Sequence, residues 1–139
     1  NELKKMITRL DFDADVIIGS RYKNGVNVIN WPLSRILLSY VASIYVRFIT
    51  SMPIKDPTSG FVGYKKEVLE TLDINRIKFV GYAFQIEMKY KAWIKDFNLI
   101  EESIVFLNRT HGNSKMDRSI ILEAFFGVLY LRASKRKIK

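Results

Sequence analysis

Hydrophobic and polar positions along this chain alternate between two periods, which sorts most of it into strands and helices. Asp15-Val-Ile-Ile-Gly19 is a short apolar run between polar residues and predicts a buried strand ending in a turn. Residues 20–30 (SRYKNGVNVIN) form a loop rich in Asn, Gly and basic residues. Asn30 is placed to cap a helix with Pro32 near its first turn. That helix runs to about Thr50, and Pro53 stops it. Lys55–Gly60 (KDPTSG) is a turn, Phe61–Tyr64 a short strand and Lys65–Leu72 a helix. Ala83–Ile94 predicts another helix, Leu99–Leu107 a strand, Asn108–Asp117 an exposed polar loop and Arg118–Ser134 the last helix. The opening stretch, NELKKMITRL, reads as the tail of a helix already under way. Strands alternating with helices, with no internal repeat, predict an α/β fold.

Two of these helices have unusually wide apolar arcs. In the first, Arg35, Ser39, Ser43, Arg47 and Thr50 form one narrow polar stripe, and nearly every other position is apolar or aromatic. In the last, Ser119, Glu123, Gly127, Tyr130 and Ser134 repeat that stripe. A surface helix needs an apolar arc of only ~100°. Each helix is therefore expected to bury two sides, either between sheet and neighbour or at a lipid surface or dimer interface. No window reaches the ~20 apolar residues of a membrane span, so the chain is expected to lie on a bilayer rather than cross it.

Composition narrows the chemistry. The 139 residues contain no cysteine and one histidine, His111, which excludes disulfides, a thiol nucleophile and a multi-histidine metal cage. Lys and Arg number 23 against 14 Asp and Glu, a formal net charge of +9, which implies an anionic partner. The aromatics sit within apolar helices and are not interleaved with basic residues on a strand face, which argues against nucleic acid as that partner. Gly19-Ser-Arg-Tyr22 is a strand end followed by a guanidinium, where α/β sheets bind ligands; Arg21 would suit a phosphate, or be a solvated loop residue. Arg109-Thr-His-Gly-Asn-Ser-Lys115 carries two cations, a glycine and small donors including Ser114, and would suit closure over anions or be a plain hydrophilic loop.

GSRY, NWPLSR (30–35), DPTSGF (56–61), GYAFQIEM (81–88) and RTHGNSK (109–115), in that order, resemble the polyprenol-phosphate mannosyltransferases, the dolichol-phosphate mannose synthases of glycosyltransferase family 2. The resemblance runs from about Asp13 to Leu131, and five motifs in order are far more specific than any one alone. It implies a partial GT-A fold, the Rossmann-like nucleotide-diphospho-sugar transferase architecture, with residues 1–139 as its C-terminal half. The family's nucleotide-binding strands and metal-binding DxD motif lie upstream. Asp11-Phe-Asp13 has the letters but the wrong place, so both aspartates are expected to face solvent in a turn.

The reaction implied is inverting transfer of a hexose, usually mannose from GDP-mannose, to the phosphate of a polyprenol lipid. Mg²⁺ or Mn²⁺ is implied for the intact enzyme with ligands outside this chain, and the isolated chain is expected to be inactive. A phosphate monoester is largely dianionic at neutral pH, so it needs positioning and charge screening more than a strong base. The resemblance places Arg21, Arg109 and Lys115 on the donor diphosphate, with Ser114 in the same loop. It makes Arg35 the candidate for holding the acceptor phosphate, or else a snorkelling arginine. Asp56 and Glu87 either orient the acceptor site or Arg35, or play local roles, Asp56 capping the DPTSG turn and Glu87 pairing with a loop cation. Gln85 is placed to contact sugar hydroxyls. The family setting also implies a peripheral position on the cytoplasmic face of a membrane, with homo-oligomerisation possible through the apolar helices.

Overall fold

The computed structural model describes residues 2–107 and 118–138. The order is α1 (Glu2–Phe12), β1 (Val16–Ser20), β2 (Val28–Ile29), α2 (Leu33–Thr50), β3 (Val62–Tyr64), α3 (Lys66–Leu72), a 3₁₀ turn (Ile74–Arg76), α4 (Gly81–Ile94), β4 (Leu99–Ser103), β5 (Phe106–Leu107), α5 (Arg118–Ala133) and α6 (Lys135–Ile138). This is the mixed α/β arrangement that the alternation predicts.

β1 is the central strand of a three-stranded sheet, antiparallel to β3 on one side and parallel to β4 on the other. All five of its residues are buried. Strand alternation sends Val16 and Ile18 into the larger core with Val46, Ile54, Ile86, Tyr90, Val128 and Leu131. Ile17 faces the other way, into a smaller core with Met6, Ala14 and Leu10 beneath α1. Apolar groups on both faces explain why the run 16–18 is continuous rather than alternating. Gly19 lies where no side chain fits: a Cβ there would stand 2.5 Å from the Ile104 side chain and 2.6 Å from that of Phe61.

Three local expectations differ from the structure. Residues 99–107 are not one strand: β4 pairs with β1, while β5 pairs with β2 in a separate two-stranded sheet. Between them, Ile104 turns its side chain inward and donates its main-chain N–H to the Ser20 carbonyl. Asn30 does not cap α2; it adopts a left-handed φ of 58°, Pro32 occupies the cap, and the Pro32 carbonyl accepts from Arg35 and Ile36. Finally, α2 is long and apolar enough by length and composition to cross a membrane: its 18 residues have a mean hydropathy of 1.3, and 17% of them are buried. A count of uninterrupted apolar residues passes over this helix because its few polar residues interrupt the run.

Ser39, Ser43 and Thr50 face the protein, whereas Arg47 is exposed. Ser39 accepts from the Tyr22 hydroxyl, Ser43 lies 3.3 Å from the Thr58 hydroxyl, and Ser43 and Thr50 are buried. The apolar side faces out, with Leu33 79%, Leu37 62% and Phe48 83% exposed. α5 lies beside α2, the Tyr45 and Phe125 rings stacking at 4.8 Å, and it too exposes Leu122, Phe125 and Phe126. Of the two expectations for these arcs, burial between sheet and neighbour within the chain is therefore not met, and the exposed sides are left for a lipid surface or a second copy.

Candidate active site

The chain leaves β1 at Ser20 and enters Arg21, so the guanidinium stands beyond the carboxyl end of the central strand. It is buried, and its partner is Asp56 of the turn between α2 and β3. The main-chain N–H and Nε of Arg21 donate to one carboxylate oxygen at 2.9 and 2.7 Å, and an Nη donates to the other at 2.6 Å. The same Nη reaches the Thr58 hydroxyl at 2.8 Å. Burial opposes the guanidinium's charge, but hydrogen bonding and attraction from Asp56 outweigh it, so the pKa of Arg21 is raised. The rings of Tyr22, Trp31 and Phe106 surround the guanidinium carbon at 5.1, 5.5 and 5.6 Å. Arg35 stacks on the same Trp31 ring, 3.9 Å from its centre. One indole thus joins the buried ion pair to the start of α2.

The turn that presents Asp56 is held from three directions. Glu101 of β4 accepts the main-chain N–H groups of Lys55 and Asp56, both at 2.8 Å. Lys89 of α4 donates to the carbonyls of Pro57 at 3.0 Å and Ser59 at 2.6 Å, and to that of Gln85 one helical turn back at 3.2 Å. Ser59 donates its hydroxyl to the carbonyl of Gly19 at 2.6 Å. Lys89 is completely buried, which pushes its ammonium down to about 7; Arg21 adds to the fall, and Asp56 and Glu101 oppose it.

No protein-family profile matches the chain. Individual proteins do. It is 42% identical to polyprenol monophosphomannose synthase of Mycolicibacterium smegmatis over 127 residues, 91% of this chain. Identity is 35% over 83% of this chain to undecaprenyl-phosphate mannosyltransferase of Micrococcus luteus, and 35% over 99% to dolichol-phosphate mannosyltransferase of Pyrococcus furiosus. This chain is homologous to the polyprenyl-phosphate mannosyltransferases. It spans 48%, 47% and 36% of the length of those three relatives, about half or less of each.

Against that homology, the residues singled out in the sequence fall into separate groups. Arg21 and Asp56 share one buried ion pair, and Arg35 is joined to it through Trp31. The Asp56 carboxylate holds Arg21 rather than the main chain of its own turn. Gln85 lies one turn before Lys89 on α4 and gives it a carbonyl. Glu87 sits apart: its buried carboxylate accepts the main-chain N–H groups of Lys78 and Phe79, both at 3.0 Å, and pairs with Lys91 at 2.7 Å. It therefore fixes the approach to α4. Arg109, Ser114 and Lys115 lie outside the described residues, as does His111. Asp11 and Asp13 are exposed, Asp13 pairing with Arg9 at 3.1 Å. Among the described residues no three His, Cys, Asp or Glu side chains are grouped to hold a metal ion.

Sequence reasoning missed Lys89, Glu101, Thr58 and Trp31. Lys89 carried a signal: it lies three residues from both Ile86 and Ala92, on a buried face of α4. A shallow cavity of about 340 Å³, lined by Pro53, Trp93 and residues 96–99, opens at the far end of the sheet and includes none of these groups.

Proposed function

We propose that this chain is the C-terminal, acceptor-side half of a GT-A polyprenyl-phosphate mannosyltransferase. The observation that carries this is the 42% identity to polyprenol monophosphomannose synthase across 91% of the chain. The site geometry is consistent with it. Phosphoryl acceptors need fixed cations more than proton transfer, and this site offers a rigid frame with Arg35 at its edge. A phosphate oxygen of the polyprenyl phosphate attacks the anomeric carbon of mannose as the bond from that carbon to the diphosphate of GDP-mannose breaks. The configuration inverts and GDP leaves. Arg109, Ser114 and Lys115 serve the donor diphosphate. Mg²⁺ or Mn²⁺ is held by residues outside this chain.

The membrane follows from the same reading. The exposed apolar sides of α2 and α5 meet the lipid at the cytoplasmic face, with Arg47 and the basic residues 135–137 of α6 nearby to attract anionic headgroups.

The test is mannose transfer by the intact enzyme from radiolabelled GDP-mannose to a short polyprenyl phosphate with Mg²⁺ or Mn²⁺. The expected product is mannosyl-phosphoryl-polyprenol of inverted anomeric configuration, with no turnover by residues 1–139 alone. Transfer of a different sugar, or to an acceptor lacking phosphate, overturns the proposal.

A further inference from the structure

A buried side chain that merely fills space is apolar, because an ammonium out of water is costly unless something needs its charge. Lys89 is fully buried in α4, yet its three donors end on three carbonyl oxygens and on no carboxylate. Two of those carbonyls, of Pro57 and Ser59, flank Thr58 in the turn that carries Asp56. Glu101 takes the N–H groups at the start of the same turn. The turn is thus gripped by an anion on its donors and a cation on its acceptors.

We propose that Lys89 is a positioning residue for mannosyl transfer, its charged form holding the turn so that Asp56 stays locked on Arg21. This rests on the transferase reading above. The groups facing Lys89 are Arg21 from the end of β1, Asp56 from the turn and Glu101 from β4, while α2 contributes the Ser43 hydroxyl beside Thr58. With Lys89 charged, two cations balance two anions. A neutral amine leaves the cluster one charge negative and has two N–H donors for three carbonyls. Burial brings its ammonium down to about 7, so this loss falls within the working range of an enzyme. As pH rises through that value one carbonyl of the turn loses its donor and the cluster its charge balance, although relief from burying a charge makes the fold as a whole more stable.

The experiment compares the wild-type intact enzyme with Lys89→Arg and Lys89→Met, measuring mannosyl transfer between about pH 6 and 9. In the wild type, kcat falls roughly ten- to hundredfold across the range while the donor KM changes little. Lys89→Arg stays charged and is expected to lack the fall. Lys89→Met is expected to be low and flat, with a lower urea midpoint because the Pro57 and Ser59 carbonyls lose their donor. A Lys89→Met enzyme with full wild-type kcat, or an alkaline fall that persists in Lys89→Arg, overturns the proposal. With Trp93 and every tryptophan outside residues 1–139 replaced by Phe, Trp31 fluorescence reads the Arg21 pocket without substrate. It is expected to shift with pH in the wild type and not in Lys89→Arg, and an emission that ignores pH also overturns the proposal. Absence of any mannose transfer by the wild type would instead strike the transferase reading, leaving the fluorescence titration to decide the role of Lys89.

Discussion

Replacing Asp56 by Asn removes one charge and almost no volume, so it isolates the buried ion pair. The Asp56 carboxylate is fully buried and Arg21 nearly so, their side chains being 0% and 8% exposed. In Asp56→Asn the guanidinium keeps its Nη bond to Thr58, while an amide NH₂ meets donors that formerly met a carboxylate oxygen. Leaving a buried charge without its partner costs about 3–5 kcal/mol, against about 1 kcal/mol for a solvated hydrogen bond. Urea unfolding of the intact protein, followed by circular dichroism, measures this. The double variant Arg21→Met/Asp56→Leu refines the test, because an apolar pair often replaces a buried ion pair at little cost. It should recover part of the loss yet remain about 1–3 kcal/mol short, because the main-chain N–H at position 21 also donates to Asp56. An Asp56→Asn loss below about 1 kcal/mol would refute the reasoning, because the pair would then behave as if water reached it.

Three further outcomes are expected. Arg21→Ala lowers the stability of the intact protein and, on the transferase reading proposed above, Arg21→Ala, Arg109→Ala and Lys115→Ala each lower kcat/KM roughly ten- to hundredfold; a stable, fully active Arg21→Ala would contradict this. Asp15 accepts from the Asn98 main chain and pairs with Lys65, so its carboxyl is held below its usual 3.8. Its contribution to stability is present above the ordinary carboxylate range and disappears as pH falls through the lowered value. Unfolding curves of wild type and Asp15→Asn should therefore converge in acid and separate at neutral pH. Phe48→Ser with Phe126→Ser should reduce flotation on anionic liposomes with no loss of stability, since both rings are exposed, 83% and 62%. Salt should weaken the remaining binding. A change in sedimentation without lipid, with flotation unaltered, would assign the face to a second copy of the chain.

The sequence by itself determined the elements whose cause is local. A continuous apolar run gave β1, the mixed arcs of 33–50 and 118–133 gave α2 and α5, and five ordered motifs gave the relationship to the mannosyltransferases. Short-range periodicity and spacing carry that information whatever the rest of the chain does. Only the tertiary structure decided which way the two helices face. In α2, Ser39 and Ser43 find partners in Tyr22 and Thr58, and hydrogen bonding turns that part of its polar stripe inward, whereas the stripe of α5 stays exposed at Glu123 and Tyr130. Only the fold could show that Arg21 and Asp56, 35 residues apart, are one buried pair. The same holds for Lys89 and Glu101, which close on a turn 30 or more residues away. Helical spacing marks Lys89 as lying on an apolar face, but nothing along the chain names the groups that would replace its lost hydration. Those groups are brought by the packing of distant elements.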